Sequence, residues 1–264
     1  MLASQAVRNS RLHPRASADS SADVSVRNPL SPDRRIRAVL FDVDGTLYRQ
    51  RPLRLRMAAE LGTLALTRPR RAPATWRALS EYRRAQETLR RLPDGVHAAR
   101  QLDVAAERAA MTTTEVASIV DEWMIERPLK HLLKCRAHGT VDLLDFLTAR
   151  RIRIGILSDY PAEKKLQALG IRRYFSLVLC GSDPEIGAFK PSPRGFLAAS
   201  ARWHLDPADV LYVGDRADAD AAGAAAARMP AVIVTRKRLP ASIGALAVSS
   251  LERLRDVLDD NYSR

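Results

Sequence analysis

The sequence predicts an α/β fold, a parallel sheet between two layers of helices, interrupted after its first strand by a helical insertion. Three observations predict it. Short apolar runs alternate with amphipathic helical stretches from His138 onward, the pattern of strands covered on both faces. Several of these runs stop at Asp, Ser or Gly-Asp, which is where open α/β sheets place their ligands. Residues 49–136, by contrast, carry helical spacing and no strand pattern.

At 264 residues and 46% hydrophobic, the chain can bury a large core. No stretch reaches eighteen consecutive apolar residues, so no membrane span is expected. The formal charge of +13 admits an acidic partner such as nucleic acid or anionic lipid. The cations are mostly dispersed Arg, and at 5% aromatic the chain has few stacking platforms, so a solvated basic surface is the expectation. Cys135 and Cys180 form no paired motif, which predicts free buried thiols in a reducing, cytoplasmic setting.

Residues 1–35 are rich in Ser, Ala and Arg, contain Pro14 and Pro32, show no sustained periodicity, and are expected to be a disordered tail. The first core segment is 36–48. Ala38-Val39-Leu40-Phe41 is too short for a helix and too apolar for a surface strand. It runs into Asp42-Val43-Asp44-Gly45, where two poor strand formers mark a strand end and Gly45 lets the chain turn away.

Within the insertion, Leu53 to Leu66, Thr75 to Leu92, Asp94 to Ala109 and Thr112 to Ile125 read as helices separated by Pro69, Pro73, Pro93 and Pro128. Thr112 with Glu115 three residues on is a capping-box start. Trp76, Tyr82 and Trp123 occupy apolar helical positions and are expected in its core. His97, His131, His138 and His204 have no metal-ligand spacing.

The second core segment, 137–264, opens with a helix through Val141, Leu144 and Leu147 and the strand Ile152 to Leu157, which ends at Ser158-Asp159. A helix from Pro161 to Leu169 stops at Gly170. Then follow the strand Leu177 to Leu179, a loop carrying Lys190-Pro191 and a helix from Ser192 to Trp203. The strand Val210 to Val213 runs into Gly214-Asp215. A helix from Ala219 to Arg228 and a last clear strand, Ala231 to Val234, close the pattern.

A parallel sheet puts all carboxyl ends on one edge, so Asp42, Asp44, Ser158 and Asp215 converge there, with Lys190 nearby. Clustered carboxylates raise one another's pKa unless a cation joins them, which points to a hard divalent ion such as magnesium. Asp218 and Asp220 both follow Asp215 closely, and both are candidates for the metal site.

Asp42-Val43-Asp44-Gly45-Thr46-Leu47 resembles the DxDGT motif of the haloacid dehalogenase (HAD) superfamily. Ser158, Lys190 and Gly214-Asp215 through Asp220 are similar to its second, third and fourth motifs, in order, over Arg37 to Val234. The resemblance implies a Rossmann-like, three-layer HAD core with a helical cap at 49–136. It also implies a magnesium-dependent phosphatase acting on a small phosphomonoester. Asp42 would be the nucleophile forming an aspartyl-phosphate, Asp44 the general acid and base, and Ser158 and Lys190 the phosphoryl ligands. The metal would be held by the Asp42 carboxylate, the Asp44 carbonyl and Asp215, with Asp220, the better match to the motif spacing, acting through water. Asp159 stands where many relatives carry Asn and, with Arg51 early in the insertion, is a candidate substrate contact. An acid at position 44 distinguishes the chain from relatives that cleave carbon-halogen bonds. The alternatives are a sugar-phosphate mutase using the same residues and a non-catalytic nucleic-acid or acidic-surface binding protein on this scaffold.

Overall fold

The computed structural model describes residues 36–92 and 98–262. The expected N-terminal tail, Pro93 and His97 lie outside them. β1 (Ala38–Phe41) leads into α1 (Gln50–Thr67), α2 (Ala72–Arg90), α3 (Gln101–Ala109), α4 (Thr113–Val120) and α5 (Arg127–Cys135). Alternation then sets in with α6 (Thr140–Ala149), β2 (Arg153–Ser158), α7 (Glu163–Ala168), β3 (Leu177–Cys180), α8 (Arg194–Trp203) and β4 (Val210–Gly214). The chain ends through α9 (Ala222–Ala226), β5 (Ala231–Val234), β6 (Leu246–Val248) and α10 (Leu251–Tyr262). The strands form one six-stranded sheet in the order β3-β2-β1-β4-β5-β6, with every pairing parallel.

All four residues of β1 are buried because the period-two alternation serves two cores. Val39 and Phe41 pack with Leu144, Leu147, Leu254 and Leu258 of α6 and α10. Ala38 and Leu40 pack on the other face with Phe196, Trp203 and Tyr212. The result is a three-layer α/β sandwich with β1 at its centre.

Thr112 and Glu115 make the expected capping box, and Gly170 adopts φ +72° after α7. Pro128 does not separate two helices. Asp121–Glu126 form a π-helical turn in which the Arg127 N–H bonds to the Glu122 carbonyl, five residues back, and Pro128 falls in the first turn of α5. The wider turn has no need of a donor at Pro128, so the helical path continues.

The helical segment packs through a small separate cluster of Ala78, Ala85, Ala105, Ala106, Ala109, Val116 and Val120. Its two connections to the sheet lie side by side. Tyr48 and Arg136 pair antiparallel, the Arg49 N–H bonds to the Cys135 carbonyl at 2.8 Å, and the Ala137 N–H to the Leu47 carbonyl at 3.0 Å. No helix among the described residues is long and apolar enough to cross a membrane. Cys135 and Cys180 are buried free thiols.

Candidate active site

The carboxyl ends of β1 and β4 are neighbours in the sheet, with Phe41 opposite Val213. This register brings Asp42 and Asp215 to one edge. Gly45 makes the approach possible: at φ +109°, a Cβ there would lie 2.2 Å from Asp215 Oδ2. Gly214 plays the same part for Asp220, whose Oδ2 would be 2.3 Å from an added Cβ.

Lys190 organises the floor. Its Nζ donates to Asp42 Oδ1 at 2.6 Å, Asp220 Oδ1 at 2.7 Å and the Tyr212 hydroxyl at 2.9 Å, which uses all three ammonium hydrogens. Burial disfavours its charge, but Asp220 and Asp42 outweigh that and push its pKa well above the ordinary value, so it stays a cation. Thr46 Oγ1 donates to the other oxygen of Asp42 at 3.1 Å. Burial, reinforced by Asp220, Asp215 and Asp44, pushes Asp42 up to about 8 against the pull of Lys190.

Asp44 behaves differently two residues on. Burial opposes its ionisation, yet Lys165 Nζ grips both oxygens at 2.7 and 2.8 Å, the Tyr48 hydroxyl donates to one of them, and the carboxyl is held below its usual range. The Asp44 carbonyl accepts from Gln50 Nε2.

Asp220 accepts four hydrogen bonds. They come from Lys190, Tyr212 and the backbone N–H groups of Asp215 and Arg216, the last two at 3.0 and 2.9 Å. Its lone-pair sites are therefore filled. Asp215 is half-buried, and its carboxylate accepts no hydrogen bond among the described residues; burial and then Asp220 raise it to about 6. Carboxylate oxygens of Asp42, Asp215 and Asp220 lie within 4.8 Å of one another. This all-oxygen set with two raised carboxyls fits a hard divalent cation. Asp218 is not among these clustered oxygens and pairs with Arg216 at 3.1 and 2.6 Å. Asp220, though close, has its acceptor sites filled, which leaves Asp42 and Asp215 as the carboxylates open to a cation.

Two expected substrate contacts are not among the residues that line the cavity. Ser158 is 1% exposed and is not among the cavity-lining residues; its Oγ accepts the Tyr160 N–H at 3.2 Å, which orders the turn after β2. Arg51 is exposed and also lies outside the lining, since the turn that faces inward carries Leu53 and Arg54. Asp159 does line the cavity, where it receives Arg90 at 2.6 Å and the Lys190 N–H at 3.0 Å. That pair, together with Arg216 to Glu87 at 3.0 Å, ties α2 to the sheet edge.

Above this floor is a cavity of about 490 Å³, roofed by α1, α2 and the π-helical turn. Trp76 and Trp123 both line the cavity; Trp123 is buried, but Trp76 is 63% exposed and does not fill the core of the helical segment.

Lys165, Tyr48, Gln50 and Tyr212 belong to the site and were not singled out by sequence. Adjacent Lys164 and Lys165 look alike in sequence, and only the tertiary fold turns one of them inward, to Asp44, and the other outward, to Glu126. Tyr48 and Gln50 carry a faint signal, their closeness to Asp44 in the chain.

A six-stranded sheet in this order, with a carboxylate-lysine centre at the ends of its central strands, defines a doubly wound α/β enzyme whose reactive groups sit on the sheet edge. Comparison makes this specific. The family model for haloacid dehalogenase-like hydrolases matches residues 36–228. The chain belongs to that family, as a phosphatase-like hydrolase.

It is 29% identical over 243 residues to a glyceraldehyde 3-phosphate phosphatase of Methanopyrus kandleri, covering 85% of this chain and 96% of the relative. It is 30% identical over 222 residues to a phosphoglycolate phosphatase of Shigella boydii, covering 76% and 81% of the two chains. A crystal structure of a HAD phosphatase from Thermococcus onnurineus superposes with a TM-score of 0.59 at 24% identity, over 84% of this chain and 97% of that one, and so shares the fold.

Proposed function

We propose that the protein is a magnesium-dependent phosphomonoesterase that works through a phosphorylated Asp42. The observation that carries this reading is the contrast between Asp42 and Asp44. One faces the Asp215 and Asp220 carboxyls and is fixed by Lys190; the other is held apart by Lys165 and Tyr48. Two carboxyls in different environments suit two roles. Without a cation Asp42 is the raised one and Asp44 the depressed one, and the magnesium that Asp42 and Asp215 would hold is what would ionise Asp42 for attack.

In the first step an Asp42 oxygen bonds to phosphorus as the bond from phosphorus to the leaving oxygen breaks. That oxygen takes a proton from Asp44, which must first leave its ion pair with Lys165 and take up a proton from solvent. In the second, a water oxygen attacks the same phosphorus, its proton passes to Asp44, the bond between Asp42 and phosphorus breaks, and inorganic phosphate leaves. Lys190 balances negative charge on the phosphoryl group. Asp42, the Asp44 carbonyl and Asp215 would hold magnesium, which when bound neutralises charge on the phosphoryl oxygens. Asp220, its acceptor sites already filled, holds the Asp215 and Arg216 peptides in place.

Residues 49–136 would serve as the cap, excluding water and selecting the leaving group. Buried free thiols suit a cytoplasmic setting.

The test is phosphate release from a panel of phosphomonoesters, with magnesium or with chelator, for wild type and Asp42→Asn. Magnesium-dependent turnover that falls at least a thousandfold in Asp42→Asn is expected. Robust turnover by Asp42→Asn, or indifference to chelator, would overturn the mechanism.

A further inference from the structure

Trp76, Leu79, Arg83, Gln86 and Arg90 recur along α2 at spacings of three and four, and all of them line the cavity. This is one helix face. At 1.5 Å per residue, the ten positions from Trp76 to Gln86 span about 15 Å.

Two groups on that face are poorly used by the protein itself. Gln86 is 4% exposed, and its Oε1 accepts the Tyr160 hydroxyl, but its buried Nε2 meets no acceptor among the described residues. Buried amide hydrogens without an acceptor are destabilising and rare in folded proteins. Gln86 lines the cavity together with Asp159 and with Tyr160, to which it is bonded. At the other end is the exposed indole of Trp76, a broad flat apolar surface that opens onto the cavity. Between them the wall carries Met57, Leu61, Leu79 and Met124 together with the polar Ser80 and Arg83.

A leaving group of two or three carbons, at about 1.5 Å per bond, cannot extend from the floor to Trp76. A cavity of about 490 Å³ lies within the range of sites that enclose larger ligands.

We propose that the substrate is a phosphomonoester of a ring-bearing alcohol. A hydrogen-bond acceptor near the phosphate is bound by the free Gln86 amide hydrogens, and a planar ring stacks on Trp76. The inference rests on the phosphatase reading and deepens it. It departs from the two- and three-carbon phosphates named for the relatives. Aromatic stacking on indole gives the ring its affinity, and the unmatched amide gives orientation.

The experiment compares kcat/KM of the magnesium-loaded full-length protein for adenosine 5′-monophosphate, ribose 5-phosphate and 2-phosphoglycolate. It is repeated with Trp76→Ala and Gln86→Leu. Adenosine 5′-monophosphate should exceed ribose 5-phosphate at least tenfold. Trp76→Ala should erase that ratio, mainly through KM, and Gln86→Leu should lower both sugar phosphates relative to 2-phosphoglycolate.

Binding of adenosine 5′-monophosphate to Asp42→Asn, followed by tryptophan fluorescence with and without Trp76→Ala, separates the two readings. Preference for 2-phosphoglycolate, with the substrate ratios unmoved by Trp76→Ala, overturns the ring assignment and leaves the phosphatase standing. Absence of turnover on every ester, with Trp76-dependent binding intact, removes the phosphatase and supports the pocket assignment. Loss of both overturns both.

Discussion

The two halves of the molecule are packed from different materials. Around the sheet, Phe41, Leu144, Leu147, Phe196 and Tyr212 are fully buried, and the site's polar groups are tied to one another. The fully packed centre of the helical segment's separate cluster is five alanines and two valines, with Tyr82, Leu102, Met111, Ile119 and Met124 only partly buried around it, and ion pairs fasten α1 to α5. Apolar burial stabilises by about 25 cal/mol per Å², so small side chains anchor their helices less firmly than a core of Leu and Phe. From that packing the sheet is expected to be the stiffer half and the helical roof the more compliant.

Asp215 is the exception in the stiff half, a carboxylate without a hydrogen-bond donor among the described residues, and it gives the largest expected effect. Asp215→Asn keeps the shape and removes a charge. Turnover and magnesium affinity should fall by orders of magnitude, while the metal-free protein melts no lower than wild type, because the burial penalty and then the Asp220 repulsion that raise Asp215 to about 6 do not act on a neutral amide. Melting curves with and without magnesium check both halves of the statement; a clear drop in the metal-free melt would make Asp215 a structural residue.

Next in size is a direct contrast of packing. Phe196, 0% exposed and 4.7 Å from the Tyr212 ring centroid, should cost about 3–5 kcal/mol when cut to alanine. Ala85→Gly in α2 should cost only about 1 kcal/mol, mostly through helix propensity. Denaturant titration of both variants sharpens the comparison, and equal losses would break it.

The smallest effect is set by acid. Burial opposes ionisation of Glu60, but Lys130, His131 and Arg127 outweigh it and hold its carboxyl at about 2, against an ordinary 4.5. A depressed carboxyl stabilises fully above its unfolded value, so this contribution is present above pH 4.5 and is lost as pH falls toward 2. Limited proteolysis across that window should open the helical segment before the sheet. Simultaneous cleavage in both would argue that they respond as one unit.

How legible each half was in the sequence follows from the same materials. Strand ends announce themselves, because an apolar run that stops abruptly at Asp fits the edge of a covered sheet and little else, and Asp42, Asp44 and Asp215 were found that way. The tail of the sheet was missed. β6 is only Leu246–Val248, too short to show alternation, and the strand pattern stopped being clear at Val234 although α10 repeats leucine at 251, 254 and 258. Among the helices, spacing located the elements but not their inward faces. Trp76 and Trp123 have equivalent patterns and both line the cavity, yet Trp76 is exposed and Trp123 buried, a difference that spacing alone does not carry. Pro128 misled for a local reason, the π-turn that absorbs it.

The paired connections at Tyr48 and Arg136 have a consequence for chain topology. Viewed from the sheet, everything between them is a loop whose ends already touch. Closing a flexible loop becomes harder by only about 0.6 kcal/mol for each doubling of its length, and a folded insertion with adjacent ends escapes much of even that. The sheet is therefore nearly indifferent to how many residues are threaded through this point. Helices can be lengthened, shortened or exchanged there without disturbing the register of β1 against β2. Tyr48 is the part of that junction that cannot be exchanged freely, because its hydroxyl holds Asp44.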